Sequence, residues 1–147
     1  MNSIFILNRN EEIVAILSGN ADDSACHFFN SNLTLEINKG ASLTFEVDTT
    51  EADIVEHIKE ENMVVVHDGE NYRLLIIKEI TDIHEGGYIK EVYCEDASIE
   101  LIDEIIFDEV EGKIEMGSAL TSILKGTRWQ IGEVDNTYIR SLKPEFK

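Results

Sequence analysis

Proline is nearly absent: Pro144 is the single one in 147 residues, so no flexible Pro-rich linker divides the chain. Cysteine is scarce as well. Cys26 and Cys94 are far apart and form no CxxC pair, so they supply neither a redox motif nor half of a zinc knuckle, and both read as ordinary reduced cysteines. Long apolar runs are missing: the longest uninterrupted aliphatic stretch is Ile13-Val14-Ala15-Ile16-Leu17, far short of the roughly 20 residues that cross a bilayer. Asn2 and Ser3 stand where a secretory signal carries Lys or Arg, and Arg9 with Glu11-Glu12 breaks any apolar core of one. The expected compartment is a cytoplasm. Basic residues are few, 12 against 30 acidic, which leaves a net charge of −18 and a pI near 4.4. Such a surface repels nucleic acid phosphates and anionic membranes.

What is present suits a globular chain: 43% hydrophobic and 29% charged residues are too apolar for general disorder and sufficient for a core. The length fits one domain, or one domain with a short appendage. Charge is uneven. Residues 1–40 hold 5 acids and 2 bases, residues 41–115 hold 22 and 5, and residues 116–147 hold 3 and 5. The excess therefore lies in the middle. The shift at Gly112 to Gly117 sets the expected division, a first domain over 1–112 and the start of a second small helix-then-strand element over 113–147.

Period-2 alternation with β-branched and aromatic residues dominates the first hundred positions. Ser3–Leu7 and Glu12–Leu17 predict a hairpin around Asn8-Arg9-Asn10. Residues 18–32 read as polar and irregular. Leu33–Ile37 and Leu43–Val47 predict a second hairpin around Asn38-Lys39-Gly40. Thr49 to Asp53 opens a short helix with Ile54, Val55 and Ile58 on its buried stripe. Strands follow at Asn62–Val66, Tyr72–Ile83 and Tyr88–Cys94, with turns at Asp68-Gly69 and His84–Gly87. Asp96 or Ser98 caps a short helix bearing Ile99, Leu101, Ile102 and Ile105, and a strand-like stretch covers Ile106–Met116. Ser118 is the expected N-cap of a helix ending at Gly126, and Thr127–Val134 reads as a strand.

Candidate chemistry is thin. Asp103-Glu104 with Asp108, Glu109 and Glu111 could offer oxygen ligands, but the spacing lacks the calcium loop Dx[DN]x[DN]G. Paired carboxylates for glycoside hydrolysis are not distinguishable among so many acids. His27, His57, His67 and His84 sit one per segment with no HExxH spacing. The Cys26-His27 dipeptide suggests a nucleophile and base, yet neighbours on an extended chain point to opposite faces. No Gly-rich phosphate loop, GxSxG elbow or P-loop occurs. Trp129 is read as a structural anchor alternating with Ile131, against a ligand-stacking role. Arg128, in the one region with surplus positive charge, is a candidate for an ion pair with the acidic middle. The residues assign no catalytic, cofactor-binding or metal site.

Segment order is more informative than any single residue. Ile4-Phe5-Ile6-Leu7 with Ala15-Ile16-Leu17, Ala25-Cys26-His27-Phe28-Phe29, Leu43-Thr44-Phe45-Glu46-Val47, Tyr88 to Glu95, and Ala119 to Leu124 leading to Gly126-Thr127-Arg128-Trp129-Gln130-Ile131-Gly132 together resemble the N-terminal hub region of the phage and prophage tail endopeptidase family, also called tail-associated lysins. The likeness covers almost the whole chain.

The resemblance implies a β-rich α+β fold, an antiparallel β-barrel-like domain with short helices, as in a baseplate hub. It implies a homotrimeric ring at the virion tail tip, assembled in the host bacterial cytoplasm, with the distal tail protein and tail tube as partners and DNA passing without specific binding. Cell-wall hydrolysis in such proteins belongs to C-terminal domains, and this chain stops at Lys147 before any such domain, so no chemistry or cofactor is expected in this segment. Two further readings stand beside it: a cell-wall peptidase acting through Cys26 and His27, and a soluble prophage binding module. The resemblance also suggests a use for the acids, with part of residues 41–115 lining a lumen that DNA must not adhere to.

Overall fold

The computed structural model describes residues 2–20, 26–36, 39–50, 52–83, 88–102, 112–132 and 139–142. The elements in order are β1 (Ser3–Leu7), β2 (Ile13–Ser18), β3 (Cys26–Thr34), β4 (Ser42–Asp48), α1 (Ala52–Val55), β5 (Met63–His67), β6 (Tyr72–Ile83), β7 (Ile89–Asp96), a 3-10 helix (Ala97–Ile102), β8 (Gly112–Glu115), α2 (Met116–Leu124) and β9 (Ile139–Leu142). They fall into two compact units, Met1–Glu100 and Leu101–Lys147.

The first unit is a closed seven-stranded barrel in the order β1-β2-β3-β4-β7-β6-β5, with β5 pairing back onto β1. All pairings are antiparallel except β2 with β3, which run parallel through only two residue pairs, Leu17↔Cys26 and Ser18↔His27. The β-barrel expected from the resemblance is therefore present, with one short parallel seam in an otherwise antiparallel wall.

Alternation explains the core. Ile4 and Ile6 on β1, Leu17 on β2, Phe28 on β3, Phe45 and Val47 on β4, Val64 and Val66 on β5, Leu75 and Ile77 on β6, and Val92 and Cys94 on β7 all point inward and are buried. Phe28 meets Phe45 edge-on with ring centroids 6.4 Å apart at 79°, a favoured aromatic geometry. Ile58, after α1, joins the same cluster, as the stripe of that short helix predicts.

Gly40 shows how tightly one end is closed. A Cβ there would lie 2.9 Å from the Cβ of Asp96, closer than packed carbons approach. Asp96 earns this proximity through its bonds: its carboxylate accepts the Ala41 N–H at 3.2 Å and the Ser98 N–H at 2.9 Å, and its own N–H donates to the Ala41 carbonyl at 2.8 Å. Burial alone would push this carboxyl up, but the bonds from Ser98 and Ala41 outweigh it and hold it below its ordinary value.

Three local expectations are corrected. Residues 26–32, expected to be irregular, belong to β3 (Cys26–Thr34); the polar Asn30-Ser31-Asn32 segment lies at a bulge between Phe29 and Asn32 where Asn30 adopts φ 50°. α2 begins at Met116 with Glu115 as N-cap and no side-chain cap, because Glu115 ends β8 and is held extended opposite Ile139. Residues 127–132 form a turn and loop, not a strand: Thr127 donates its N–H and its hydroxyl to the Leu124 carbonyl, and its Oγ1 accepts the Trp129 N–H. Gly126 does end α2 with φ 91°, the left-handed conformation expected of a glycine after a helix. In the second unit β8 pairs antiparallel with β9. The expected strand-like residues 106–111 and the His84–Gly87 turn lie outside the described residues.

Candidate functional site

Cys26 and His27 open β3 and face opposite ways. Cys26 points into the barrel, buried, with its thiol donating to the Asp48 carbonyl at 3.2 Å. His27 stands on the outer side, half-buried, and its Nδ1 is enclosed without a hydrogen-bond partner among the described residues. Strand geometry therefore separates the two groups that a thiolate–imidazole pair needs together. Cys94 lies in the core, where burial pushes its thiol far above the ordinary range and keeps it protonated.

The remaining sequence candidates do not converge either. Asp103, Glu104, Asp108, Glu109, Glu111 and His84 lie outside the described residues. Among the described residues no three His, Cys, Asp or Glu side chains are placed to share a metal ion. In the second unit Trp129 is half-buried and lines a surface groove of about 480 Å³ with Leu124, Lys125 and Ile131. The Arg128 guanidinium lies 6.0 Å from the Trp129 ring centroid.

A second groove, of about 390 Å³, opens at the β5–β6 hairpin between Ser3, Phe5, His67 and Tyr72. Its rim is rigidly built. Asp68 accepts the Asn71 N–H at 2.7 Å, the Glu70 N–H at 2.8 Å and the Arg73 Nε–H at 2.7 Å, and these bonds hold its carboxyl far below the usual carboxylate range. Gly69 takes φ 110°, and its N–H donates to His67 Nδ1 at 3.2 Å. The His67 and Tyr72 rings pack across the strands with centroids 4.8 Å apart. The Asp68-Gly69 turn signal in the sequence thus marks an Asx turn that fixes the hairpin.

A larger feature emerges from strand order. β5, β1, β2 and β3 are contiguous around the barrel, and none contains Asp, Glu, Lys or Arg; β4, β7 and β6 are contiguous as well, and each does. Outside the uncharged wall, Ile16, Phe5, Val65 and Leu74 form one cross-strand row running onto β6. Outside the charged wall, Glu46 stands directly opposite Glu91, with Glu79 and Glu95 on the same face, and neither Glu46 nor Glu91 is ion-paired among the described residues. Like charges at such cross-strand spacing destabilise a sheet by several tenths of a kcal/mol, about 0.2–1. Sequence reading located the acids but missed this segregation, because the signal, four strands without a charge, becomes a surface only once the strand order is known.

At the join between the walls Arg9, in the β1–β2 turn, bridges Glu61 and Glu100, the latter at 2.8 Å, and Lys78 reaches Glu61 at 3.0 Å. These partly exposed pairs contribute little stability singly. No helix is long and apolar enough to cross a membrane among the described residues.

Comparison with known proteins agrees with this architecture. No curated protein matches the sequence. The crystal structure of prophage tail protein gp18 from Listeria monocytogenes EGD-e superposes with a TM-score of 0.59 at 18% identity, covering 97% of this chain and 40% of that one. The chain thus spans less than half the length of that protein, with which it shares a fold. The model of the prophage endopeptidase tail N-terminal domain matches residues 4–96, the barrel from β1 to the end of β7. The chain belongs to the prophage endopeptidase tail N-terminal domain family, and its barrel is a phage tail structural domain.

Proposed function

We propose that this chain is the N-terminal domain of a baseplate hub at the tail tip. There it assembles as a homotrimeric ring, contacts the distal tail protein and the tail tube, and lets DNA pass without binding it. Cell-wall hydrolysis, where a longer relative has it, belongs to other domains.

The observation that carries the reading is the acidic wall. Residues 41–100 hold 16 acids against 4 bases, and on β4, β7 and β6 they place Glu46 opposite Glu91 without a cation between them. A barrel gains nothing in stability from that pair. A lumen gains a surface that repels phosphates within a Debye length, about 8–10 Å at physiological salt. The wall faces the lumen of the ring, and DNA slides past it.

Replacing Glu79 and Glu91 by Lys places cations on the outer face of the β6–β7 hairpin. The variant assembles tails normally and ejects its genome more slowly, measured as DNA release from purified particles triggered with receptor. Unchanged ejection from intact particles contradicts the lumen assignment.

A further inference from the structure

We propose that the groove at the β5–β6 hairpin is a binding site for a neutral saccharide. The site is built by the hairpin and the start of β1, and it depends neither on the ring nor on the acidic wall.

Register assembles the groove. β1 meets β5 from Ile4↔Val66 onward and β5 meets β6 through His67↔Tyr72, so Ser3, His67 and Tyr72 fall into one row across three strands at one end of the barrel. Ile4 and Ile6 point inward, which sets Phe5 on the same outer face as that row. The groove they bound is about 390 Å³. Small-ligand sites run from about 300 to 1,000 Å³, so the space suits a short ligand. Tyr72 is 71% exposed, and the His67 ring packs against it with centroids 4.8 Å apart at 68°. The Asp68 turn pins the backbone beneath both rings. A ring held on a fixed hairpin loses little freedom when a flat apolar face stacks on it.

The lining selects the ligand's chemistry. Among the lining residues Asp68 alone carries a formal charge, and it is already engaged by the Asn71 and Glu70 N–H groups and by Arg73 at 2.7 Å. A cation therefore finds no open carboxylate, while an anion approaches a chain of net charge −18. Neutral polar groups remain: the Asn2 amide, the Ser3 hydroxyl and the His67 imidazole. His67 Nδ1 accepts the Gly69 N–H at 3.2 Å, so the neutral ring carries its hydrogen on Nε2 and donates from there. A wholly apolar ligand covering these groups would leave them unpaired, which is costly. A pyranose ring matches both halves of the lining. Its C–H face stacks on Tyr72, and its hydroxyls exchange hydrogen bonds with Asn2, Ser3 and His67.

The test is an NMR titration of the isotope-labelled 147-residue chain with maltose, cellobiose and diacetylchitobiose, followed through backbone amide shifts. At least one disaccharide gives saturable shifts centred on Gly69 and Tyr72, with a dissociation constant of about 1 mM, as one stacked ring and a few neutral hydrogen bonds provide. Tyr72→Ala weakens that binding by about tenfold or more, whereas Tyr72→Phe, which keeps the stacking face, stays within about threefold of wild type. Tyr72→Leu retains an apolar side chain without the ring, weakens binding as the Ala variant does, and decides the matter if that variant unfolds. Asn2→Ala with Ser3→Ala weakens binding severalfold. Inorganic phosphate gives no saturable shift at Gly69 or Tyr72. Absence of saturable shifts with all three disaccharides, shifts centred elsewhere, wild-type affinity in a folded Tyr72→Ala or Tyr72→Leu variant, or phosphate binding at these amides overturns the inference.

Discussion

The two walls of the barrel share one interior and differ on their outer faces. Ile4, Leu17 and Phe28 from the uncharged wall pack in the same cluster as Phe45, Leu75 and Val92 from the charged wall, so the inside of the barrel places no demand on which wall holds the acids. Outside, one wall carries the Ile16–Phe5–Val65 row and the other an uncompensated Glu46–Glu91 pair. Burial supplies the stability of both, at about 25 cal/mol per Å² of apolar surface. The distribution of charge adds nothing to it; in the ring proposed above it would meet a polyanion on the acidic side.

Core truncation is the harshest way to break the comparison. Phe45→Ala in the charged wall costs about 3–5 kcal/mol and Leu17→Ala in the uncharged wall about 2–5 kcal/mol, read from denaturant unfolding. Both variants lower the same cooperative transition; two separate transitions would mean that the walls do not share a core. Gly40→Ala comes next, because its new methyl collides with Asp96, and a cost of about 1–3 kcal/mol is expected in the same assay.

Acid titration probes the hairpin next to the uncharged wall. The Asp68 carboxyl is depressed in the folded state by the Asn71 and Glu70 N–H groups and Arg73, so its contribution is complete above its unfolded value of about 3.9 and fades as pH falls toward the lower folded one. Asp68→Asn melts earlier than wild type at neutral pH, and the gap narrows between about pH 4 and pH 2. A gap independent of pH contradicts the assignment. The smallest effect sharpens the comparison most: Glu91→Lys relieves repulsion with Glu46 and raises stability by about 0.2–1 kcal/mol, whereas Val65→Lys on the uncharged wall lowers it.

Most of the barrel was legible as strands. The expected bounds of Tyr72–Ile83 match the strand, and those of β1, β2, β4, β5 and β7 agree within a residue or two, because alternating Val, Ile, Leu and Phe report a pleated, half-buried chain directly. Closure came from the resemblance, since local pattern carries no strand order. β3 starts at Cys26, ahead of the alternation that becomes visible at Leu33, because polar Asn30, Ser31 and Asn32 mimic a loop while lying in a bulge that tolerates them. Trp129 alternates with Ile131 as a strand residue would, but Thr127 diverts the backbone into a turn through its own hydroxyl. Acid enrichment in residues 41–115 was evident from counting. Its confinement to one wall was not, because β5 lies between charged segments in sequence yet beside β1 in space.

Thiol labelling of assembled tails tests the two-wall account most directly, since Cys26 and Cys94 are buried and give a silent background. Single cysteines are introduced as Ile16→Cys on the uncharged wall and Thr81→Cys opposite Glu91 on the charged wall, and each is labelled in the free chain and in tail particles with a small maleimide. The account predicts that assembly protects position 16 and leaves position 81 reactive; protection at 81 with free labelling at 16 would contradict it.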